Sequence, residues 1–258
     1  MIIKFYKYHG AGNDFIILDD REFNYSFSIK KIKEICDRKN GIGSDGFILL
    51  RNHKKYDFEM IYFNSDGKIS SMCGNGGRCI VHFAYFLKII KSSTVFLAID
   101  GPHEAQIISD SKVILKMNNI DEILKFKNYT FIDSGSPHHI IEKSKIDLID
   151  VKQIGSKIRY SKIYSPNGVN VNFIKKTSSK EFMVRTYERG VEDETLSCGS
   201  GAVASAIAMH SKGRTSQNKI KIKTLGGDLV VSFKFNKTYS GVTLEGPVKQ
   251  VFKGEIVF

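Results

Sequence analysis

The chain has 258 residues, 41% hydrophobic and 26% charged, with net charge +12, four cysteines and no tryptophan. These fractions exclude disorder and collagen and leave room for one large domain or two of ordinary size. A membrane-spanning helix needs about 20 apolar residues in a row; runs such as Phe83 to Leu87 and Val95 to Ile99 fall far short. The first residues enter a strand-like pattern at once, without a basic flank, an apolar stretch and a cleavage site, so a cytoplasmic protein without a membrane partner is expected. The positive charge raises the alternative of a basic nucleic-acid-binding module. Only eight of the 39 basic residues are arginines, however, and the lysines are scattered as singles and pairs such as Lys30-Lys31 and Lys175-Lys176. Base and phosphate readers favour clustered arginine. The charge therefore reads as solvated faces, and no nucleic-acid partner is expected.

In chain order, Ile3 and Phe5 alternate about Lys4 as a strand. Ile29, Ile32, Ile35 and Cys36 follow a helical period. Phe58, Met60 and Tyr62 mark a second strand, Asn75 to Lys88 a helix, and Val113 to Met117 another strand. Strand patterns recur at Phe182 to Thr186 and Lys219 to Thr224, with a helix over Gly199 to Met209 between them. The fold class is α+β with mostly antiparallel sheet.

The two strongest helix patterns share a preface. Cys73-Gly74-Asn75-Gly76 opens the first and Cys198-Gly199-Ser200-Gly201 opens the second, and the cysteines stand 125 positions apart (198 − 73), near half the chain. Such spacing suggests an internal duplication. It gives two pseudo-symmetric domains, 1–117 carrying Cys73 and 118–247 carrying Cys198, divided in the polar stretch Asn118-Asn119.

A cysteine at the first turn of a helix faces unpaired backbone N–H groups and the positive end of the helix dipole, which favour thiolate over thiol. Glycines beside it let the backbone approach an anion such as a carboxylate. Two such turns facing one cleft would place thiols on opposite sides of a small carboxylate. One would remove the proton from the neighbouring carbon while the other returns a proton from the opposite face, inverting that centre. Dipoles and N–H donors stabilise the carbanion, so no pyridoxal phosphate or other cofactor is expected, and no nucleotide-binding glycine loop is present. Cys36 and Cys79 read as packing residues. Zinc at Cys73, Cys79 and His82 lacks Cys-x2-Cys spacing and a fourth ligand, so no metal is expected.

With these residues in place, the sequence resembles the diaminopimelate epimerase family over nearly its whole length. The likeness runs through His9-Gly10-Ala11-Gly12-Asn13-Asp14-Phe15, Gly41 to Gly46, Phe63 to Gly67, Met72 to Cys79, Ser136-Pro137-His138, Gly168 to Phe173, Tyr187 to Gly190 and Glu194 to Gly201. Proline racemases share paired cysteines but resemble MCGHG at the first motif; Asn75 followed by Gly76-Gly77-Arg78-Cys79 favours the diaminopimelate branch. A proline or hydroxyproline racemase-type isomerase is the runner-up.

The resemblance implies epimerisation of LL- and meso-diaminopimelate in lysine and peptidoglycan precursor synthesis, with Cys73 and Cys198 as acid and base. It implies that Gly74, Asn75, Gly199 and Ser200 hold the reacting carboxylate. Asn13, Asn64, Asn170 and Arg189 hold the rest of the substrate, and Glu188 accepts an ammonium group. His138 and Glu188 tune the thiols. An amide can serve both ends of a zwitterion without adding charge. A turn role for an Asn, above all Asn64, and an ion pair of Arg189 with Glu188 or Glu192 are the plainer readings; for His138 it is a structural hydrogen bond. The family further implies a barrel-like sheet around a central helix in each domain, a C-terminal strand at 248–258 returning to the first, and a homodimer. Two positions depart from several relatives: Gly46 stands where they carry glutamine, and Ser136 where they carry asparagine. The segment from Gly190 to Cys198 is also one residue longer than in some.

Overall fold

The computed structural model describes residues 2–23 and 25–257. The chain forms two compact units, one through Leu115 with Gly246 onward and one from Lys116 to Glu245.

The first unit contains β1 (Ile2–Gly10), β2 (Asn13–Asp19), α1 (Ile29–Cys36), β3 (Gly46–Arg51), β4 (Glu59–Asn64), α2 (Gly74–Phe86), β5 (Ser93–Ala98), β6 (Gly101–Ser109) and β7 (Lys112–Lys116). Pairing is antiparallel for β1–β2, parallel for β2–β3, antiparallel for β3–β4, parallel for β4–β5, and antiparallel for β5–β6 and β6–β7. A parallel pair needs a crossover that returns the chain to the same end of the sheet. Here α1 lies between β2 and β3 in the chain, and α2 between β4 and β5.

The second unit contains β8 (Leu124–Lys125), β9 (Thr130–Asp133), β10 (Pro137–Glu142), α3 (Val151–Arg159), β11 (Asn170–Lys176), β12 (Glu181–Glu188), β13 (Asp193–Thr195), α4 (Gly199–Ser211), β14 (Lys219–Thr224), β15 (Gly227–Asn236) and β16 (Thr238–Pro247). From β9 onward the same pairing order recurs. It is antiparallel, parallel through α3, antiparallel, parallel through α4, then antiparallel twice, with β13 inserted against β12. The shared order is what a duplicated unit produces. The sequence reading passes over α3, although Val151, Ile154 and Ile158 follow a helical spacing; Asp150 begins it by accepting from the Gln153 N–H. A last strand, β17 (Lys249–Val257), pairs antiparallel with β1 from Ile2↔Val257 to His9↔Lys249; Phe258 lies outside the described residues.

The central helices are enclosed by sheet. α2 packs on β1, β2, β3 and β6, and α4 on β9, β10, β11, β12, β14 and β15. Gly74 to Val81 is buried without a break, as is Gly201 to Met209. A helix apolar on all sides is stable only when surrounded in this way. Its first turn is thereby fixed against the ends of several strands.

Candidate active site

Both central helices begin at the predicted cysteines. Cys73 is the N-cap of α2, with extended backbone (φ −86°, ψ 130°), and its carbonyl accepts the Gly77 N–H at 2.7 Å. Cys198 is the N-cap of α4 (φ −123°, ψ 117°), and its carbonyl accepts the Ala202 N–H at 3.0 Å. Neither cysteine side chain caps the first-turn N–H groups, and a helix start of this kind favours an anion.

In the first unit a polar chain runs from the surface at Asp45 to the buried Asn75 and Arg78 beside Cys73. Asn13 Nδ2 donates to Asp45 Oδ2 at 2.7 Å, which turns Asn13 Oδ1 toward the helix. That oxygen lies 3.6 Å from Cys73 Sγ and 3.2 Å from Asn75 Nδ2. Asn75 Oδ1 in turn accepts from Arg78 Nη2 at 2.7 Å. Each amide is therefore oriented by a charged group on its far side. Asp45 is itself held by Arg38 at 2.7 Å, and Arg38 with Lys7 also clasps the neighbouring Asp14. Burial of Asp14 favours its protonated form, yet the hydrogen bonds from Arg38 and Lys7 prevail and hold its carboxyl at about 2.

The second unit repeats the plan with different chemistry. His138 stands 125 positions after Asn13 (138 − 13), and it too sits near the start of its strand. Its Nε2 lies 3.0 Å from Ser200 Oγ, and Ser200 Oγ lies 3.6 Å from Cys198 Sγ. Asn172 Nδ2 is 2.9 Å from His138 Nδ1, while Asn172 Oδ1 accepts from Thr186 Oγ1 at 2.9 Å. The threonine fixes the amide, the amide makes Nδ1 an acceptor, and the proton of the neutral ring then resides on Nε2, facing Ser200. His138 is fully buried; burial, aided by the charge of Arg189, pushes its imidazolium down to about 3, so the ring is neutral near pH 7. Ser200 is also anchored through its carbonyl, which accepts from Ser134 Oγ at 2.9 Å.

The remaining predicted residues separate into two groups. Asn170 Oδ1 accepts the Arg189 N–H at 2.8 Å, and Asn170 Nδ2 donates to Ser136 Oγ at 3.0 Å. Arg189 Nη2 also reaches Ser136 Oγ, at 3.3 Å. Ser136 thus links the two. Among the described residues no carboxylate pairs with Arg189, for Glu192 is engaged by Arg159 at 3.1 Å and Glu188 accepts from Thr195 at 2.9 Å. The guanidinium keeps donors for an anionic ligand. Asn64, by contrast, ends β4 in a turn closed by its own backbone, donating to Lys68 O and accepting from Gly67 N–H. The segment after Gly190 folds back as β13, with Glu188 opposite Asp193.

Sequence reading overlooks Arg78, Asn172, Thr186 and Ser134. Asn172 had a usable signal, since it stands two positions from Asn170 on one strand and so shares its face. The effect of Gly46 is also structural. A Cβ there would come within 2.6 Å of the Tyr62 ring and 3.1 Å of its hydroxyl, so Tyr62 occupies the space a side chain at 46 would need. Among the described residues there is no group of three His, Cys, Asp or Glu placed to hold a metal, and no helix is long and apolar enough to cross a membrane.

The family model described as diaminopimelate epimerase matches residues 5–121 and 130–251. A diaminopimelate epimerase of Flavobacterium psychrophilum is 50% identical over 256 residues, covering 98% of this chain and 100% of the relative. One from Chlorobaculum tepidum is 38% identical, covering 96% and 98%. Among solved structures, a PhzF-family phenazine biosynthesis protein of Bacillus anthracis aligns with TM-score 0.80 at 12% identity, over 100% of both chains. A hydroxyproline epimerase of Agrobacterium vitis aligns with TM-score 0.74 at 12% identity, covering 99% of this chain and 92% of that one. The distant structures share the fold.

Proposed function

The chain belongs to the diaminopimelate epimerase family, and from that premise we propose that it is a cofactor-independent isomerase that interconverts LL- and meso-diaminopimelate through Cys73 and Cys198. The observation that carries this reading is the matched pair of helix starts, each with a cysteine at the N-cap that does not cap it and a polar chain behind it.

In this reading the thiolate of one cysteine abstracts the α-proton and the thiol of the other delivers a proton to the opposite face, so the centre inverts and the two thiols exchange protonation state. Gly74, Asn75, Gly199 and Ser200 hold the reacting carboxylate at the helix starts, where fixed dipoles stabilise the carbanion without rearranging during the reaction. Arg189, arranged by Asn170 and Ser136, takes the distal carboxylate; Asn13 and Asn64 contribute amide contacts, and Glu188 accepts an ammonium group. His138, neutral and donating through Nε2, acts on Cys198 by way of Ser200. The enzyme would work in the cytoplasm as a homodimer, as the family resemblance implies.

The test is deuterium incorporation at the α-carbon of diaminopimelate in D2O, followed by NMR with the purified full chain. Wild type incorporates deuterium and inverts the centre; Cys73→Ala and Cys198→Ala each lose epimerisation. Near-normal turnover by either variant would refute the two-thiol mechanism, and turnover of hydroxyproline instead of diaminopimelate would redirect the substrate assignment.

A further inference from the structure

Arg78 is buried completely inside α2, one turn beyond Cys73. Its Nη1 donates to Gly74 O at 3.0 Å and its Nη2 to Asn75 Oδ1 at 2.7 Å, while Nε has no partner. Among the described residues no carboxylate reaches it. A buried guanidinium held only by neutral oxygens is costly, and such a charge persists where an anion compensates it in the working state.

The charged groups around this turn do not supply that anion. Asp14 on β2 is matched by Lys7 at 2.6 Å and Arg38 at 2.7 Å. Asp100 is hydrogen-bonded elsewhere, accepting the Met72 N–H at 3.1 Å and lying 3.3 Å from His103 Nε2. Two thiols remain. Burial pushes the Cys79 thiol up, so it stays protonated. Cys73 is partly exposed at the helix start, and its thiol donates to Asn13 Oδ1, which also accepts from Asn75 Nδ2, so it is the one group here with a proton to give up.

We propose that Arg78 is a positioning residue for Cys73, a fixed buried cation that stabilises the Cys73 thiolate and, through Asn75 and Asn13, sets the polar groups around it. The inference rests on the reading of Cys73 as a proton-transferring thiol. The second helix supplies the contrast. Five positions after Cys198, where Arg78 stands after Cys73, the residue is Val203, buried among apolar neighbours. The chain behind Cys198 ends in a neutral imidazole. The two thiols of the pair are therefore unequal by construction: a fixed cation one turn away favours the thiolate that Cys73 becomes when it gives up its proton, and nothing like it stands in α4.

The experiment is the pH dependence of iodoacetamide alkylation at each cysteine, resolved by peptide mass spectrometry on the full chain without substrate. Arg78→Gln should raise the alkylation midpoint of Cys73 by about one pH unit or more and leave that of Cys198 in place, while Arg78→Lys, which keeps the charge, shifts it less. An unmoved Cys73 midpoint in folded Arg78→Gln overturns the proposal. If Arg78→Gln does not fold, wild type is treated with anionic and cationic methanethiosulfonates. Cys73 should then prefer the anionic reagent several times more strongly than Cys198 does, and equal preference overturns the proposal. Because no substrate is involved, failure to epimerise diaminopimelate would count against the function and leave this result standing.

Discussion

Asn172 Nδ2 lies 2.9 Å from His138 Nδ1, and this contact decides which ring nitrogen of His138 carries the proton. With Nδ1 held as acceptor, Nε2 donates to Ser200, whose hydroxyl hydrogen is left free to point at Cys198. Asn172→Leu removes the constraint while filling a similar volume. The expected outcome is a fall in kcat/KM of about 10–100-fold, less than the loss of a donor that itself touches the developing charge. The Cys198 alkylation midpoint should rise while that of Cys73 stays put. An unchanged Cys198 midpoint would show that Asn172 only packs.

Gly201 guards the same chain from the other side. A Cβ at this position would stand 2.5 Å from Asn172 Oδ1 and 3.3 Å from Cys198 Sγ. The helix backbone cannot retreat, because α4 is enclosed by sheet. Gly201→Ala, ordinarily favourable within a helix, should here destabilise the protein by about 1–3 kcal/mol through overpacking and reduce turnover as Asn172→Leu does. Urea unfolding checks the first effect and initial rates the second. A more stable and fully active Gly201→Ala would mean that the first turn of α4 is looser than its contacts indicate.

The central helices and their cysteines were legible because a glycine cluster before an apolar run is a local signal, and its recurrence at Cys198 made it stronger. The α1 pattern at Ile29, Ile32, Ile35 and Cys36 was legible for the same reason, and α1 spans those residues. The polar chains behind the cysteines were not. Arg78 sits inside a helix where sequence alone expects a charged side chain to find water, and its burial depends on β1, β2, β3 and β6 closing around α2. The bond between His138 and Asn172 depends on parallel register, since His138 lies opposite Asn170 across β10 and β11. Such pairings join residues far apart in the chain, and periodicity carries no information about them. Asn64 shows the converse: its turn-like neighbours Ser65-Asp66-Gly67 read correctly as a turn, so its local structure was plain while its substrate contact rests on family likeness.

Gly46 and Tyr62 should behave as one unit. The Tyr62 ring fills the space beside Gly46, so Gly46→Ala is expected to cost about 1–3 kcal/mol of stability. Tyr62→Ala opens the space and forfeits aromatic packing against Phe15, whose ring centroid is 6.1 Å away. Together the two substitutions should be less damaging than the sum of the single effects, with a coupling of about 1 kcal/mol or more by double-mutant cycle in urea. Strict additivity would show that the tyrosine swings aside freely.

The acid stability of the first unit should depend on Asp14. Its carboxyl, ordinarily near 3.8, is held at about 2 in the folded chain because Arg38 and Lys7 outweigh the effect of burial. A carboxylate with a depressed folded value contributes stability above its unfolded value and loses it as the pH falls through the folded one. The contribution is therefore complete above about pH 4 and fades between about 3.8 and 2. Asp14→Asn cannot provide it and also strands the buried Lys7, leaving its ammonium only the carbonyl of Gly43. The variant should be clearly less stable than wild type at pH 6, and the gap between their urea midpoints should narrow as the pH is lowered toward 3. The narrowing is specific to the charge, because a packing defect would persist at every pH. A gap of constant size from pH 6 to pH 3 would mean that Asp14 serves the fold by shape and hydrogen bonding alone.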